Sequence, residues 1–186
     1  MSRERPRYPW FRQLSALVGT LLLTTACSVL DVHRSQGRLD PDGGWVILPW
    51  ENRAEAPRAG ERLEPVLKTL LLGRGVLDVA STPPAAESAT GLPNLDPGEA
   101  TRQARDWAAT QGFKYAVQGS ITEWRYKAGL DGEPAVGLTV TVVELASGRT
   151  VWSASGARAG WGRESLSGAA QKLLRRLLAS LDFEET

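Results

Sequence analysis

The sequence predicts an α/β (α+β) fold over residues 44–186, a mixed β-sheet with packed helices in the order βαβαβββα. Three patterns predict it. Strand-like and helix-like segments alternate first, three strand-like segments then follow one another, and a leucine-striped helix comes last. Strands separated by helices and followed by a meander are typical of one mixed sheet, on which helices pack to bury their apolar stripes. The length suits a single domain.

Residues 1–26 are predicted to form a signal peptide. Residues 1–13 contain four arginines and one glutamate, and an apolar run from Leu14 to Ala26 follows them. At 13 residues the run is too short to cross a bilayer, which requires about 20 apolar residues. A basic start, a short apolar middle and a small-residue exit are typical of a secretory signal.

Cys27 is predicted to be the lipidated first residue of the mature protein. The residues Thr24, Thr25 and Ala26 before it match the bacterial lipobox, and it is the only cysteine, so an intramolecular disulfide is excluded. Two or more acyl chains anchor a protein stably, because each buried CH₂ contributes about 0.8 kcal/mol. The alternative is a plain signal peptide cut elsewhere, with a spare thiol. Ser28, where an aspartate would favour the inner membrane, favours the outer membrane.

Composition narrows the function classes. Loss of residues 1–26 leaves 18 basic and 20 acidic residues, a net charge of −2, which disfavours nucleic-acid binding. The only histidine, His33, lies in the predicted tether of residues 27–43, so histidine-based triads and metal clusters are excluded. We therefore expect no enzyme activity, no cofactor and no metal.

The first half of the domain is predicted to be a βαβα unit. Residues 45–49 are a short apolar run ended by a proline, as in a buried strand. A helix with one apolar face follows, and Gly73 and Gly75 end it. Residues 76–79 form the second predicted strand, and the Pro- and Ser-rich residues 81–98 form a long loop. The apolar positions of the helix are Leu63, Val66, Leu67, Leu70 and Leu71.

The second half begins with a helix and ends with one. Asp96 is a good N-cap, Pro97 suits the first helical position, and the helix runs to Gly112. Alternating apolar and polar residues then predict three strands. The final helix is predicted over residues 165–181, with leucines along one face. The three strands cover residues 113–126, 135–145 and 150–158.

Two candidate sites follow from the residues alone. Asp131 and Glu133 could form a glycosidase pair, but they lie in a turn, where Asp and Gly collect for backbone reasons. A binding role is easier to accept for these carboxylates than catalysis. Trp161 stands among glycines between a strand and a helix, so it is either exposed for contact with membrane headgroups or folded back on the core.

Two long segments carry a family resemblance, WRYKAGLDGEPAVG at residues 124–137 and VWSASGARAGW at residues 151–161. Together with WVILP at residues 45–49 and the lipobox, they resemble the PelC family, the lipoproteins of Pel exopolysaccharide export. The likeness covers most of residues 44–180. The two long segments are more specific than the first strand, which fits a wider group of periplasmic lipoproteins.

The resemblance implies a fold similar to the N-terminal domain of TolB and a non-catalytic, periplasmic lipoprotein. It implies a homo-oligomeric ring, expected to be a dodecamer, lipid-anchored on the periplasmic face of the outer membrane. The ring would funnel cationic Pel exopolysaccharide, a biofilm matrix polymer, to the export pore of PelB. Asp131 and Glu133 would face the polymer, Trp161 would enter the inner leaflet of the outer membrane, and Cys27 would carry the palmitate-type anchor.

A second hypothesis stays open, a regulatory outer-membrane lipoprotein that activates a cell-wall synthase. Such a protein would need a long tether to reach the cell wall. Residues 28–43 span at most about 55 Å when fully extended, and a disordered chain of that length would span less on average. The short tether favours a domain that is held close to the membrane.

Overall fold

A computed structural model describes residues 28–34, 37–83, 97–128 and 132–184. Within them, seven strands form one mixed sheet and three helices pack on it. The strands are β1 (Ser28–Arg34), β2 (Trp45–Ile47), β3 (Glu51–Asn52), β4 (Val79–Ser81), β5 (Tyr115–Tyr126), β6 (Pro134–Glu144) and β7 (Arg149–Ala159). The helices are α1 (Ala59–Leu72), α2 (Pro97–Thr110) and α3 (Leu166–Leu178).

The predicted fold class and element order are confirmed, with two further strands, β1 and β3. The sheet order is β1-β7-β6-β5-β2-β4, with β3 paired to β5 beyond the end of β2. Strands β5, β6 and β7 form the predicted antiparallel meander, while β2 pairs in parallel with both β4 and β5. Parallel neighbours need crossover connections, and α1 and α2 supply them on opposite faces of the sheet.

The main core lies on the face that α1 and α3 cover. Leu63 and Leu67 of α1 and Leu173 and Leu177 of α3 are almost completely buried against the inward residues of the sheet. Ser165 caps α3, because its Oγ accepts a hydrogen bond from the backbone N–H of Gly168 at 3.0 Å. The leucine stripes that predicted the helices therefore hold the two layers together.

The opposite face has a smaller core. Ala104 and Ala108 of α2 pack on Val46, Leu48 and Ala116 of the central strands. Small side chains let this helix lie close to the sheet. Beyond α2, the outward residues of β6 and β7 include Thr139, Thr141, Ser153 and Ser155, and the hydroxyl oxygens of Thr141 and Ser153 lie 3.1 Å apart.

The segment that the sequence predicted as a free tether differs most from expectation. Residues 28–34 form the edge strand β1, which pairs antiparallel with β7 along its whole length. Leu39 forms a β-bridge with Phe183, and Asp40 makes a 3.1 Å ion pair with Lys114. No periodicity predicted the strand, because an edge strand is stabilised by the backbone of its neighbour more than by its own pattern.

Smaller differences concern element ends. The second predicted strand lies at Val79–Ser81 instead of residues 76–79, because Val76 is part of the turn that leaves α1. The last helix ends at Leu178, although Leu181 beyond it remains fully buried in the core. Among the described residues, every helix is too short or too polar to cross a bilayer.

Candidate functional site

One end of the sheet holds Glu133 and Trp161, two of the residues that the sequence singled out. Strand β1 begins there at Ser28 opposite Arg158, β5 ends there at Tyr126 opposite Pro134, and β7 ends there at Ala159. We call it the Ser28 end of the sheet. Cys27 itself lies outside the described residues, but it is bonded to Ser28, so the chain enters the domain at this end.

Trp161 is exposed at the Ser28 end. The residue is 63% exposed, so its ring is not folded back on the core. The backbone around it is fixed: the Gly160 N–H donates to the Pro134 carbonyl at 2.7 Å, and the Glu164 N–H donates to the Trp161 carbonyl at 2.8 Å. A large apolar ring is therefore held out in solvent by an ordered connection.

Glu164 is the main support of this connection. Its carboxylate is 12% exposed and accepts from Lys172 Nζ at 2.9 Å and from Arg158 Nη2 at 3.1 Å. The hydrogen bond from Lys172, followed by that from Arg158, holds the pKa of Glu164 below its usual value, against the opposing effect of burial. The ion pairs tie the end of β7 and the middle of α3 to one side chain.

Gly160 is required where it stands. A Cβ atom at this position would lie 2.4 Å from Oε2 of Glu164 and 2.8 Å from Cγ of Pro134. Distances this short force neighbouring atoms to move, and both neighbours are held in place. The glycine therefore allows the connection to lie close to Pro134 at the start of β6 before the chain reaches Trp161.

Tyr126 is a second aromatic residue at the Ser28 end. It is 51% exposed, and its hydroxyl oxygen accepts a hydrogen bond from the backbone N–H of Leu166 at 3.4 Å. Sequence reasoning missed it because the last residue of a strand carries no signal of its own. The exposed cations Lys127 and Arg163 lie in the two connections that flank the aromatic pair.

Glu133, one of the two predicted polymer-facing acids, lies in the β5–β6 connection at the Ser28 end. The carbonyl of Glu133 accepts from the Lys127 N–H at 2.8 Å, and the Glu133 side chain is partly exposed. Asp131 lies outside the described residues. The structure therefore places Glu133 at the same end as Trp161 and leaves the place of Asp131 as a prediction.

A groove lies on the α2 face of the sheet, away from the Ser28 end. The groove of about 330 Å³ runs between α2 and the sheet, where Arg105 Nε donates to Gln118 Oε1 at 3.1 Å. Its remaining polar lining consists of two charged residues, Glu51 and Arg102, and four hydroxyl residues, Thr101, Ser120, Thr139 and Thr141. In the part of the chain that the structure describes, no three His, Cys, Asp or Glu side chains come together as a metal site.

Comparison with known proteins gives two kinds of likeness. The chain is 30% identical to the PelC dodecamer from Paraburkholderia phytofirmans, with a TM-score of 0.71, and the match covers 86% of this chain and all of that one. A single-substitution variant of that dodecamer, in another space group, matches with the same identity and TM-score over 85% of this chain and 100% of its own.

A more distant likeness shows the fold alone. Lipoprotein GNA1162 from Neisseria meningitidis is 16% identical with a TM-score of 0.54, and the match covers 74% of this chain and 96% of that one. No family model and no curated protein sequence matches the chain.

Proposed function

The chain belongs to the PelC family, and from this premise we propose that it is a non-catalytic subunit of an export ring at the outer membrane. The ring is a lipid-anchored homo-oligomer on the periplasmic face, and it guides cationic Pel exopolysaccharide to the pore of a PelB partner. The match to a PelC dodecamer over that protein's full length is the observation that carries this proposal.

The Ser28 end of the sheet supports membrane attachment. The residue after Cys27 pairs with Arg158, only three positions before the exposed Trp161. A lipid anchor and an exposed tryptophan at the same end would touch the same leaflet, and tryptophan favours the headgroup level of a bilayer. Tyr126 adds a second amphipathic ring at that end.

The short distance between anchor and fold argues for a ring at the membrane over a regulator of cell-wall synthesis. Because β1 begins at Ser28, no free chain separates the described domain from Cys27. A domain without a tether cannot reach toward the cell wall. It can, however, form a flat ring in which each subunit stands at the same height above the leaflet.

The polymer would meet the β5–β6 connection of each subunit close to the membrane. Glu133 lies at the Ser28 end, and Asp131 is two residues before it in the sequence. A ring repeats such carboxylates around its opening, so that single charges sum to a strong local field for a cationic chain. Contacts of this kind are screened over about 8–10 Å near physiological salt, which suits a polymer that must keep moving.

The proposal is tested by deleting the gene in its native host and complementing it with the wild-type chain or with Cys27→Ser. We expect the deletion to abolish secretion of the cationic polymer, the wild type to restore it, and Cys27→Ser to leave the protein in the soluble periplasmic fraction. Polymer in the medium is measured by an amino-sugar lectin. Normal secretion by the deletion strain would show that the function is wrong.

A further inference from the structure

Large apolar side chains that remain exposed fall into three groups in the described part of the chain. Two aromatic residues mark the Ser28 end. The second group, which we call the β1 patch, consists of Val29, Leu30 and Val32, which are 64%, 44% and 40% exposed. The third, the α1–β4 corner, consists of Leu72 and Leu77, which are 44% and 72% exposed.

The β1 patch and the α1–β4 corner lie at opposite edges of the sheet. Strand β1 is the outermost strand on one side and β4 the outermost on the other. Leu77 stands just before β4, and Leu72 ends the helix that leads to it. Five strand spacings of about 4.8 Å separate the two edges by about 24 Å.

We propose that these two surfaces form the contact between neighbouring subunits, with the β1 patch of one copy against the α1–β4 corner of the next. The inference rests on the ring of the proposed function. A ring is built by heterologous contacts, in which two different patches of each copy meet. In a twelve-membered ring such as that of the PelC relative, neighbours differ by a rotation of about 30°, so the patches must lie on nearly opposite sides of each subunit.

The membrane cannot cover the whole β1 patch. Val32 lies five residues after Cys27, so an extended strand carries it about 16 Å from the anchored residue. The headgroup region on each side of a bilayer is only about 5–8 Å deep. With β1 perpendicular to the membrane, Val32 therefore lies beyond the headgroup region. We infer that another protein surface covers it.

The β1 edge also offers backbone groups and enough area. Its outer side has no strand partner in the described residues, and an exposed apolar edge of this kind favours association with another chain. Seven residues extend about 23 Å, and the sheet with its helix layer is about 20 Å deep at that edge. The projected area of about 450 Å² is of the order that one partner contributes to a standard interface, about 800 Å² of accessible surface.

The test is site-directed cross-linking of the full-length, lipidated protein in mild detergent. Val32→Cys and Leu77→Cys are made singly and in one chain, and each is treated with a short bismaleimide. The lipidated sulfur of Cys27 is a thioether and does not react. Within one subunit the two positions are too far apart for the reagent, so any product joins two copies.

We expect a ladder of cross-linked species up to the closed ring for the double variant. A mixture of the two single variants is expected to give dimers and nothing larger, and each single variant alone is expected to give none. Dimers from Val32→Cys alone would indicate that two β1 patches meet each other, and would overturn the proposal. A loss of rings by Val32→Asp but not by Ala146→Asp, at an exposed turn, would support it independently.

Negative-stain images of the untreated wild type separate the two levels of the inference. Rings in those images without a ladder in the double variant overturn this interface and leave the proposed function standing. Wild-type protein that stays monomeric in detergent and in native membranes overturns the ring itself, and the interface falls with it.

Discussion

Two connections at the Ser28 end of the sheet are built in different ways. The β7–α3 connection is held by partly buried Glu164, by two cations that bind it and by two backbone hydrogen bonds, and it exposes Trp161. In the β5–β6 connection, the Lys127 N–H donates to the Glu133 carbonyl, and the two predicted polymer-facing acids belong to that segment.

The difference fits the two tasks that we propose. An aromatic ring that enters a leaflet must stand at a fixed height, and paired, largely covered side chains can fix it. Carboxylates that attract a moving cationic polymer act through a field that falls off gradually with distance, so they need no fixed geometry. Damage to the first connection should therefore unfold or misplace it, whereas damage to the second should change function alone.

Gly160→Ala is expected to have the largest effect on stability. The added Cβ would meet Oε2 of Glu164 and Cγ of Pro134 at distances that neither can yield cheaply. Overpacking of this kind costs about 1–3 kcal/mol, and we expect the upper half of that range in the free energy of unfolding by urea. The matched control is Gly132→Asn in the other connection, where nothing lies within 4 Å and asparagine tolerates the positive φ of 51°. Equal losses in the two variants would contradict the comparison.

Glu164→Gln should destabilise the domain by about 1–3 kcal/mol, because it leaves the side chain of Arg158, 12% exposed, without its counter-charge. The same chemical change in the other connection, Glu133→Gln, is expected to stay within about 0.5 kcal/mol. Both values come from urea unfolding at neutral pH. An unchanged unfolding midpoint for Glu164→Gln would show that the ion pairs of Glu164 do not stabilise the domain.

The pH dependence of stability should identify Glu164 separately. Because its folded pKa is lowered, its contribution is fully present above the unfolded value of about 4.3 and is lost as the pH falls through the folded pKa. The stability gap between wild type and Glu164→Gln is therefore expected to be constant from pH 7 to 5 and to narrow below about pH 4. A gap that widens on acidification would mean that the assigned sign is wrong.

Trp161→Ala should weaken membrane contact without changing stability. Burying a large apolar side chain contributes about 1.5–3 kcal/mol, which corresponds to a tenfold or greater loss of vesicle binding. The measurement is made by flotation with the Cys27→Ser chain, so that the lipid anchor does not mask the effect. Asp131→Ala in the same background is the control and should bind vesicles as the parent does.

Asp131→Ala is expected to have the smallest effect of these variants. It should lower polymer secretion and leave the stability of the domain unchanged. Secretion of the polymer should fall by a few-fold, because one charge per subunit is lost from the ring opening, while urea unfolding should be unchanged. The loss should be larger with Glu133→Gln added, since the two carboxylates contribute to one field. Secretion that matches the wild type in the double variant would remove this connection from the mechanism.

Much of the fold followed from side-chain patterns that report burial directly. Alternation in β6 and the leucine stripe of α3 predicted both elements, because one face of each is packed in the core. β1 escaped prediction, since its partner β7 lies more than a hundred residues away and its stability comes from that pairing. The local sequence of a strand does not show which distant strand its backbone will pair with.

The sequence likewise predicted one part of the candidate site and missed another. Trp161 could be singled out because a tryptophan among glycines is unusual, and the structure confirms that it is exposed. Glu164 could not, because a single acid before a helix looks like any solvated charge. Its partners Arg158 and Lys172 come together with it only after β7 and α3 have packed.

The pairing of β1 with β7 also sets an order of events during maturation. If the chain is exported N-terminus first, as the proposed lipoprotein would be, β1 has to wait for residues near Arg158 before it can pair. Until then β1 is without its strand partner, so the proposed lipidation site next to it would be open to a membrane-bound modifying enzyme. In the lipoprotein that we propose, lipid attachment at Cys27 is therefore expected to precede the pairing of β1 with β7.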